Sequence, residues 1–270
     1  MYRLLVNLLK YFRWLSLDIA LGGAILFLFI SRKVYHLNPS FYDVAALTAA
    51  ILIIYTVDHL LDARRIPKPS MPRHSFHKKG LALWYLYLIL LLILGVYCIS
   101  NLDAKVRNLG IVVSSFSVCY LWISLKLSRI GLKELLVALV YTTAMFVLPI
   151  TQLQLYAYDY FSMFQLFSIA LINLLIIAYY EQSFDKQDQT QSLAHLLGQN
   201  KIIIVIHILI AINLGSSAYL LLIQEGISYQ LFIFLASFIL IFVITFRDAF
   251  LKNEAYRWAS DLIFFIPLFL

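Results

Sequence analysis

The chain has 270 residues, of which 63% are hydrophobic and 13% charged, and its mean hydropathy is +0.87. Soluble domains are nearer half apolar and a quarter charged, so this composition excludes an ordinary water-soluble protein and makes lipid the main solvent. The formal net charge of +7 is accounted for by membrane orientation, which removes the need to invoke nucleic acid.

Apolar runs recur along the whole length, and crossing the hydrocarbon takes roughly 20 mostly apolar helical residues. In chain order the candidate spans are Leu15–Ser31, Phe41–Ala63, Leu81–Ser100, Asn108–Leu125, Leu135–Leu153, Phe161–Tyr180, Ile202–Ile223, Leu231–Phe246 and Trp258–Leu270. The last is short enough to lie at the interface, so eight or nine transmembrane helices are expected. The runs are continuously apolar rather than alternating, which argues against a strand barrel. Residues 1–270 read as one all-α transmembrane domain, with cytoplasmic acidic and basic loops at about 58–80 and 181–201.

The first span follows a basic start, yet "ISRKVY" stands where a small-residue cleavage site belongs, so the span is read as uncleaved. With the N-terminus inside, seventeen Lys and Arg fall on the inner side. Only Arg32, Lys33, Lys105 and Arg107 fall outside. That asymmetry follows the positive-inside rule. A multi-pass protein of a bacterial inner membrane is expected, since no transit-like leader is evident. Cys98 and Cys119 lie in apolar runs, where cysteine usually acts as a small hydrophobe.

Two stretches break the apolar pattern in related ways. Span 2 ends in "DHLLDARRIPKPSMPRHSFHKK", and span 6 ends in "EQSFDKQDQTQSLAHLLGQNK". Asp58 and Asp62 are four residues apart, as are Glu181 and Asp185, so each pair shares a helix face. Both pairs sit near the inner boundary of the hydrocarbon, which resembles a weak internal repeat. If spans 2 and 6 stand side by side, the four carboxylates converge on one site. Grouped carboxylates need cations to stay ionised. Hard oxygen donors suit Mg²⁺, which is commonly held by one or two carboxylates together with substrate phosphates. Arg65, Lys68 and Arg73 follow the first pair, and Lys126 lies in the next inner loop with Lys133. These bases suit a phosphate group, arginine above all because its planar fork makes paired hydrogen bonds. An apolar bundle with such a mouth fits an amphiphile with a diphosphate head and a hydrocarbon tail. Aromatic rings are 16% of the chain, and some could stabilise a developing allylic cation.

Short acidic motifs also have plainer roles. Asp62 could pair with Arg65, and Asp58 could be solvated. His59 points to a different side from the two aspartates, and His77 reads as an interfacial histidine. Asp188 could be a third acid of its loop or a turn residue. Asp18, Asp43 and Asp261 are the acids that leave a transporter reading open. Acids inside membranes usually face the bundle interior and pair there.

The arrangement resembles the UbiA-type intramembrane prenyltransferases. That family has about nine helices and acidic motifs after spans 2 and 6. Its first motif, broadly Asn-x-x-x-Asp-x-x-x-Asp with a basic tail, matches Asp58, Asp62, Arg65, Lys68 and Arg73. Its second matches Glu181, Asp185, the "SLAHLLG" stretch and Gly198. Ile54 and Ile177 stand where polar support is expected, Glu181 replaces an aspartate, and Gln189 stands near a usual glycine. The resemblance implies the UbiA fold and Mg²⁺-dependent prenyl transfer from a prenyl diphosphate to a lipophilic acceptor, expected to be aromatic. Asp58, Asp62, Glu181 and Asp185 would hold Mg²⁺, and Arg65, Lys68, Arg73 and Lys126 the diphosphate. The departures at Ile54 and Ile177 favour, as the alternative, a non-catalytic relative that binds lipid or isoprenoid.

The charge asymmetry makes a direct prediction. After replacement of both native cysteines by serine, a single cysteine at Lys105 is labelled by an impermeant maleimide from outside the cell. One at Lys186 is labelled only after the membrane is opened.

Overall fold

A computed structural model describes residues 10–65, 72–78, 80–126, 133–187 and 193–270. Lys68, Asp188 and Gln189 lie outside the described residues, and the side chains of Asp62, Arg65, Arg73, Lys126 and Asp185 lie outside the described side chains.

The described residues form helices and no strands. Helix α1 (Leu17–Leu28) runs on as a π-helical turn over Phe29–Val34. Then come α2 (Phe41–Arg65), α3 (Pro72–Lys78), α4 (Leu81–Ser100), α5 (Ala104–Lys126), α6 (Lys133–Met145) and α7 (Val147–Gln152). The second half holds α8 (Ala157–Gln187), α9 (Leu193–Leu197), α10 (Gln199–Leu222), α11 (Ile227–Thr245), α12 (Arg247–Leu251) and α13 (Ala255–Leu262). A 3₁₀ segment, Ile263–Phe269, follows α13. Every apolar run read from the sequence is therefore helical. Among the described residues, five helices are long and apolar enough to cross a membrane: Phe41–Leu61, Leu81–Ser100, Ala157–Phe184, Gln199–Leu222 and Ile227–Thr245.

Proline explains where two runs lose regularity. The fifth run divides at Phe146, between α6 and α7, just before Pro149. A proline ring clashes with the carbonyl four residues back, here that of Met145, and supplies no N–H. The last run tightens to 3₁₀ geometry around Pro267. Asp43 has a local role as well. Its carboxylate accepts from the Ser40 backbone N–H and hydroxyl, both at 2.7 Å, while Ser40 Oγ accepts from the Asp43 backbone N–H at 3.2 Å. This reciprocal arrangement caps the start of α2.

The helices close into a ring. α1 packs on α2, and α2 on α4; α5 packs on α6, α6 on α8, α8 on α10, and α10 on α11. The C-terminal segment seals the ring, since α13 and the 3₁₀ segment pack against both α1 and α11, and α13 also packs on α8. α8 runs through the middle, with Leu166, Ile169, Ile172, Leu175 and Ile176 buried. By contrast, α4 exposes Leu83, Leu86, Leu90, Ile93 and Val96. An outward face of that kind is at home in lipid, where apolar exposure costs nothing.

Several polar residues of α8, α10 and α11 bond to one another. Gln165 Nε2 donates to Gln230 Oε1 at 3.0 Å, and Gln230 Nε2 returns a bond to Gln165 Oε1 at 3.1 Å. Asn213 Nδ2 donates to Ser168 Oγ at 3.0 Å. Such side-chain bonds join helices where water cannot compete.

The turn between α10 and α11 depends on Gly226, whose φ is +58°. A Cβ there would overlap the Tyr158 hydroxyl. Gly226→Ala should lower stability by about 1–3 kcal/mol through overpacking and strain. Thermal unfolding in detergent should show this drop, and adding Tyr158→Phe should restore part of it.

Candidate functional site

The two acidic helix ends lie at one end of the bundle, though α2 and α8 share no extended contact among the described residues. They are not side by side as expected from the sequence. The start of α6 bridges them instead. Its first residue, Lys133, donates from Nζ to Asp58 Oδ1 at 2.9 Å and Oδ2 at 3.1 Å. Its second, Glu134, accepts at Oε1 from the Leu193 backbone N–H at 3.1 Å. Ala194, the next residue, accepts at its carbonyl from Gln182 Nε2 at 3.2 Å. Gln182 adjoins Glu181, so a short chain of contacts runs from Asp58 to Glu181.

Glu181 is buried, at 5% exposure, inside the end of α8. It forms an ion pair with Arg257 of α13, itself 8% exposed. The Tyr256 hydroxyl donates to Glu181 Oε1 at 3.1 Å. The Tyr256 ring stacks on Tyr180, with centroids 4.4 Å apart and planes at 7°. Tyr180 in turn donates its hydroxyl to the Val243 carbonyl at 2.7 Å. The residue that neutralises Glu181 is therefore locked to α8 and α11 by its neighbour. A buried carboxylate without such a partner would lose its charge.

His59 faces away from Asp58. Its Nε2 lies 3.3 Å from Ser16 Oγ, and its ring sits 4.6 Å from that of buried His77, which lies 4.6 Å from Trp84. These contacts join α1, α2, α3 and α4 and give the histidines a packing role.

Deeper in the bundle stands a second polar group that sequence reasoning did not assemble. Asp18 of α1 and Asp261 of α13 are drawn together around Arg13. Arg13 Nη2 donates to Asp261 Oδ2 at 3.4 Å, and Asn173 Nδ2 of α8 donates to Asp261 Oδ1 at 3.3 Å. Asp18 lies within electrostatic reach of both Arg13 and Asp261. Tyr55 of α2 and Tyr141 of α6 lie within electrostatic reach of Asp261. Tyr55 is one turn before Asp58, so this group joins the interior to the acidic end.

Of the four carboxylates expected to bind metal, Asp58 and Glu181 are thus brought to one end of the molecule. Asp62 and Asp185 continue the same two helices, with side chains outside those described. Among the described residues, no three His, Cys, Asp or Glu side chains cluster as a metal site. The donor chemistry nevertheless suits Mg²⁺: the acids are hard oxygen ligands, and a carboxylate offers about four lone-pair positions, more than one ammonium occupies. Sequence reasoning missed Arg257, Tyr256, Asn173 and Glu134. The only signal was intramembrane polarity itself, because their partners are far away in the chain.

No family model matches the chain, and no curated protein matches it. Solved structures do. A UbiA homologue from Archaeoglobus fulgidus bound to GPP and Mg²⁺ superposes with a TM-score of 0.65 at 16% identity, covering 97% of this chain and 100% of that one. A structure of a UbiA homologue from the same organism bound to DMAPP and Mg²⁺ gives 0.65 at 18% identity, with 97% of each chain covered. Digeranylgeranylglyceryl phosphate synthase in membranes gives 0.56 at 14% identity, covering 97% of this chain and 99% of that one. A likeness that runs the full length of both chains, with every apolar run helical, establishes the architecture: this is a membrane protein with the UbiA fold.

Proposed function

We propose that the chain transfers a prenyl group from a prenyl diphosphate to a lipophilic acceptor, an aromatic ring in the simplest case, within the membrane. The observation that carries this reading is the arrival of Asp58 and Glu181 at one end of a bundle with the UbiA fold. It is supported by the A. fulgidus homologues, which were solved with GPP or DMAPP and Mg²⁺. Asp58, Asp62, Glu181 and Asp185 would hold Mg²⁺, and Arg65, Lys68, Arg73 and Lys126 the diphosphate. Mg²⁺, when bound, neutralises charge on the departing diphosphate.

The chain's own residues prepare that end. Lys133 and Arg257 supply the opposite charges that Asp58 and Glu181 meet at that end. Tyr256 fixes the Glu181 carboxylate by its hydrogen bond. The apolar bundle shelters the hydrocarbon tail and excludes the water that would capture an allylic cation. In this reading the acidic end faces the cytoplasm of a bacterial inner membrane.

A second reading is favoured by the same ion pairs and by Ile54 and Ile177: a non-catalytic protein that binds an isoprenoid. Labelled GPP separates the two. The purified chain with Mg²⁺ and a panel of lipophilic acceptors should yield prenylated product and free diphosphate, and chelation should stop it. Asp58→Asn should reduce the rate by about 10²-fold or more, the scale of losing charge stabilisation at a leaving group. Binding of GPP without product selects the second reading, and no binding sinks both.

The Glu181–Arg257 pair generates a separate prediction. Arg257→Met leaves a buried carboxylate without its guanidinium and should destabilise the fold by about 3–5 kcal/mol. Adding Glu181→Gln should recover much of that loss in thermal unfolding. Equal unfolding temperatures for wild type and Arg257→Met would show that the pair does not hold the C-terminal helix.

A further inference from the structure

Asp58 and Glu181 are held at the acidic end in different ways. The side chains of Glu181 and Arg257 are both under a tenth exposed, and Tyr256 bonds the carboxylate oxygen that Arg257 meets. Breaking that pair would strand a buried charge. Asp58 meets Lys133 nearer the surface, where the lysine side chain is 39% exposed and the aspartate 19%. Lys133 Nζ lies 2.9 Å from Asp58 Oδ1 and 3.1 Å from Oδ2, so the ammonium sits in the bite between the two oxygens.

That bite is where a second cation would approach the carboxylate through both oxygens. The outer lone pairs of Asp58 remain, but an ion on them would face the ammonium across a single carboxylate. Like charges at that range repel, the more so where water is scarce. Lysine suits a contact that can be given up. Its charge rides on a flexible four-carbon stem and is strongly hydrated. A side chain as exposed as that of Lys133 can swing toward the polar boundary without moving the backbone.

The backbone it springs from has its own anchor. Glu134, the next residue, is buried and accepts the Leu193 N–H at Oε1. α6 also packs along α8. Lys133 can therefore leave Asp58 while the start of α6 stays on the second half of the bundle.

We propose that Lys133 is a displaceable counter-ion that sets the divalent-cation affinity of the acidic end: it holds Asp58 until a divalent cation takes its place, while Arg257 stays on Glu181. This rests on the reading that Asp58 binds such a cation. Lys133 is a positioning residue. It keeps the Asp58 carboxylate turned toward α6, and it raises the concentration at which the cation binds. No covalent bond changes, and one ionic contact is exchanged for another. The exclusion is reciprocal: as Lys133 weakens cation binding, the cation weakens the hold of Lys133 on Asp58 by the same factor.

Two measurements on the full chain in phosphatidylcholine nanodiscs test this without turnover. In the first, Mn²⁺ stands in for Mg²⁺, and free Mn²⁺ is counted from its paramagnetic resonance, with empty nanodiscs as blank. Lys133→Met should tighten Mn²⁺ binding by about tenfold, the scale expected when a competing, part-exposed ion pair is removed. Lys133→Arg keeps the charge and should bind no tighter than wild type, and Asp58→Asn should lose the site. A lysine with only a structural role would leave the affinity unchanged or lower it when replaced. In the second, wild-type Lys133 is acetylated by an amine-reactive ester and read by mass spectrometry. Mg²⁺ should speed its modification several-fold. In Asp58→Asn modification should be fast from the start and indifferent to Mg²⁺. This arm needs no change at Lys133, so it decides the matter if Lys133→Met does not fold.

Mn²⁺ affinity of folded Lys133→Met at or below that of wild type overturns the exchange. So does Lys133 modification that ignores Mg²⁺ in a wild type that binds Mn²⁺. Binding by Lys133→Met alone supports it in its strongest form. If neither chain binds Mn²⁺, or if Asp58→Asn binds it as wild type does, the cation reading of Asp58 is what fails, and the exchange falls with it.

Discussion

Every charge inside this bundle must find an opposite charge or a hydrogen bond, because the surrounding lipid supplies neither. That requirement shapes the molecule more than any single apolar contact. An acid at the centre of a membrane helix costs about 2.5–3.5 kcal/mol on insertion scales. Glu181, Asp18 and Asp261 meet the requirement with Arg257, Arg13 and Asn173. Glu181–Arg257, Arg13–Asp261 and Asn173–Asp261 each join segments that are distant in the chain. The C-terminal helix is held to α8 and to the entry of α1 by charge as well as by packing. A separate chain of contacts through the start of α6 brings the acids of α2 and α8 to one end.

The ring arrangement turns that constraint into a directional interior. At one end, the start of α6 and the helix α9 bridge the acidic ends of α2 and α8. At the other, the paired glutamines and Asn213 seal α8 to α10 and α11. Between them lie Tyr55, Tyr141, Asn173 and Asp261.

Much of the architecture was legible from periodicity, because lipid enforces long apolar helices and every run named from the sequence is helical. Breaks were harder to read: Pro149 and Pro267 reshape their runs, yet neither ends one. The placing of Asp58 and Glu181 at one end of the bundle was legible because a four-residue spacing and a matched depth are local signals. Arg257, Asn173 and Arg13 were not, since an ion pair spanning 76 or more residues leaves no trace in local spacing. Asp43 was misleading for the opposite reason. It looked like a charge bound for the membrane and proves to be a helix cap, a role fixed by Ser40 three residues away.

The position of α13 late in the chain has a consequence for biogenesis. During synthesis Asn173 and Glu181 leave the ribosome well before Asp261 and Arg257 do. The earlier helices must therefore enter the bilayer with those groups uncompensated, held at the insertion machinery or protonated. Arrival of the final helix then locks the assembly, and a nascent protein stalled short of it lacks the cation that keeps Glu181 ionised.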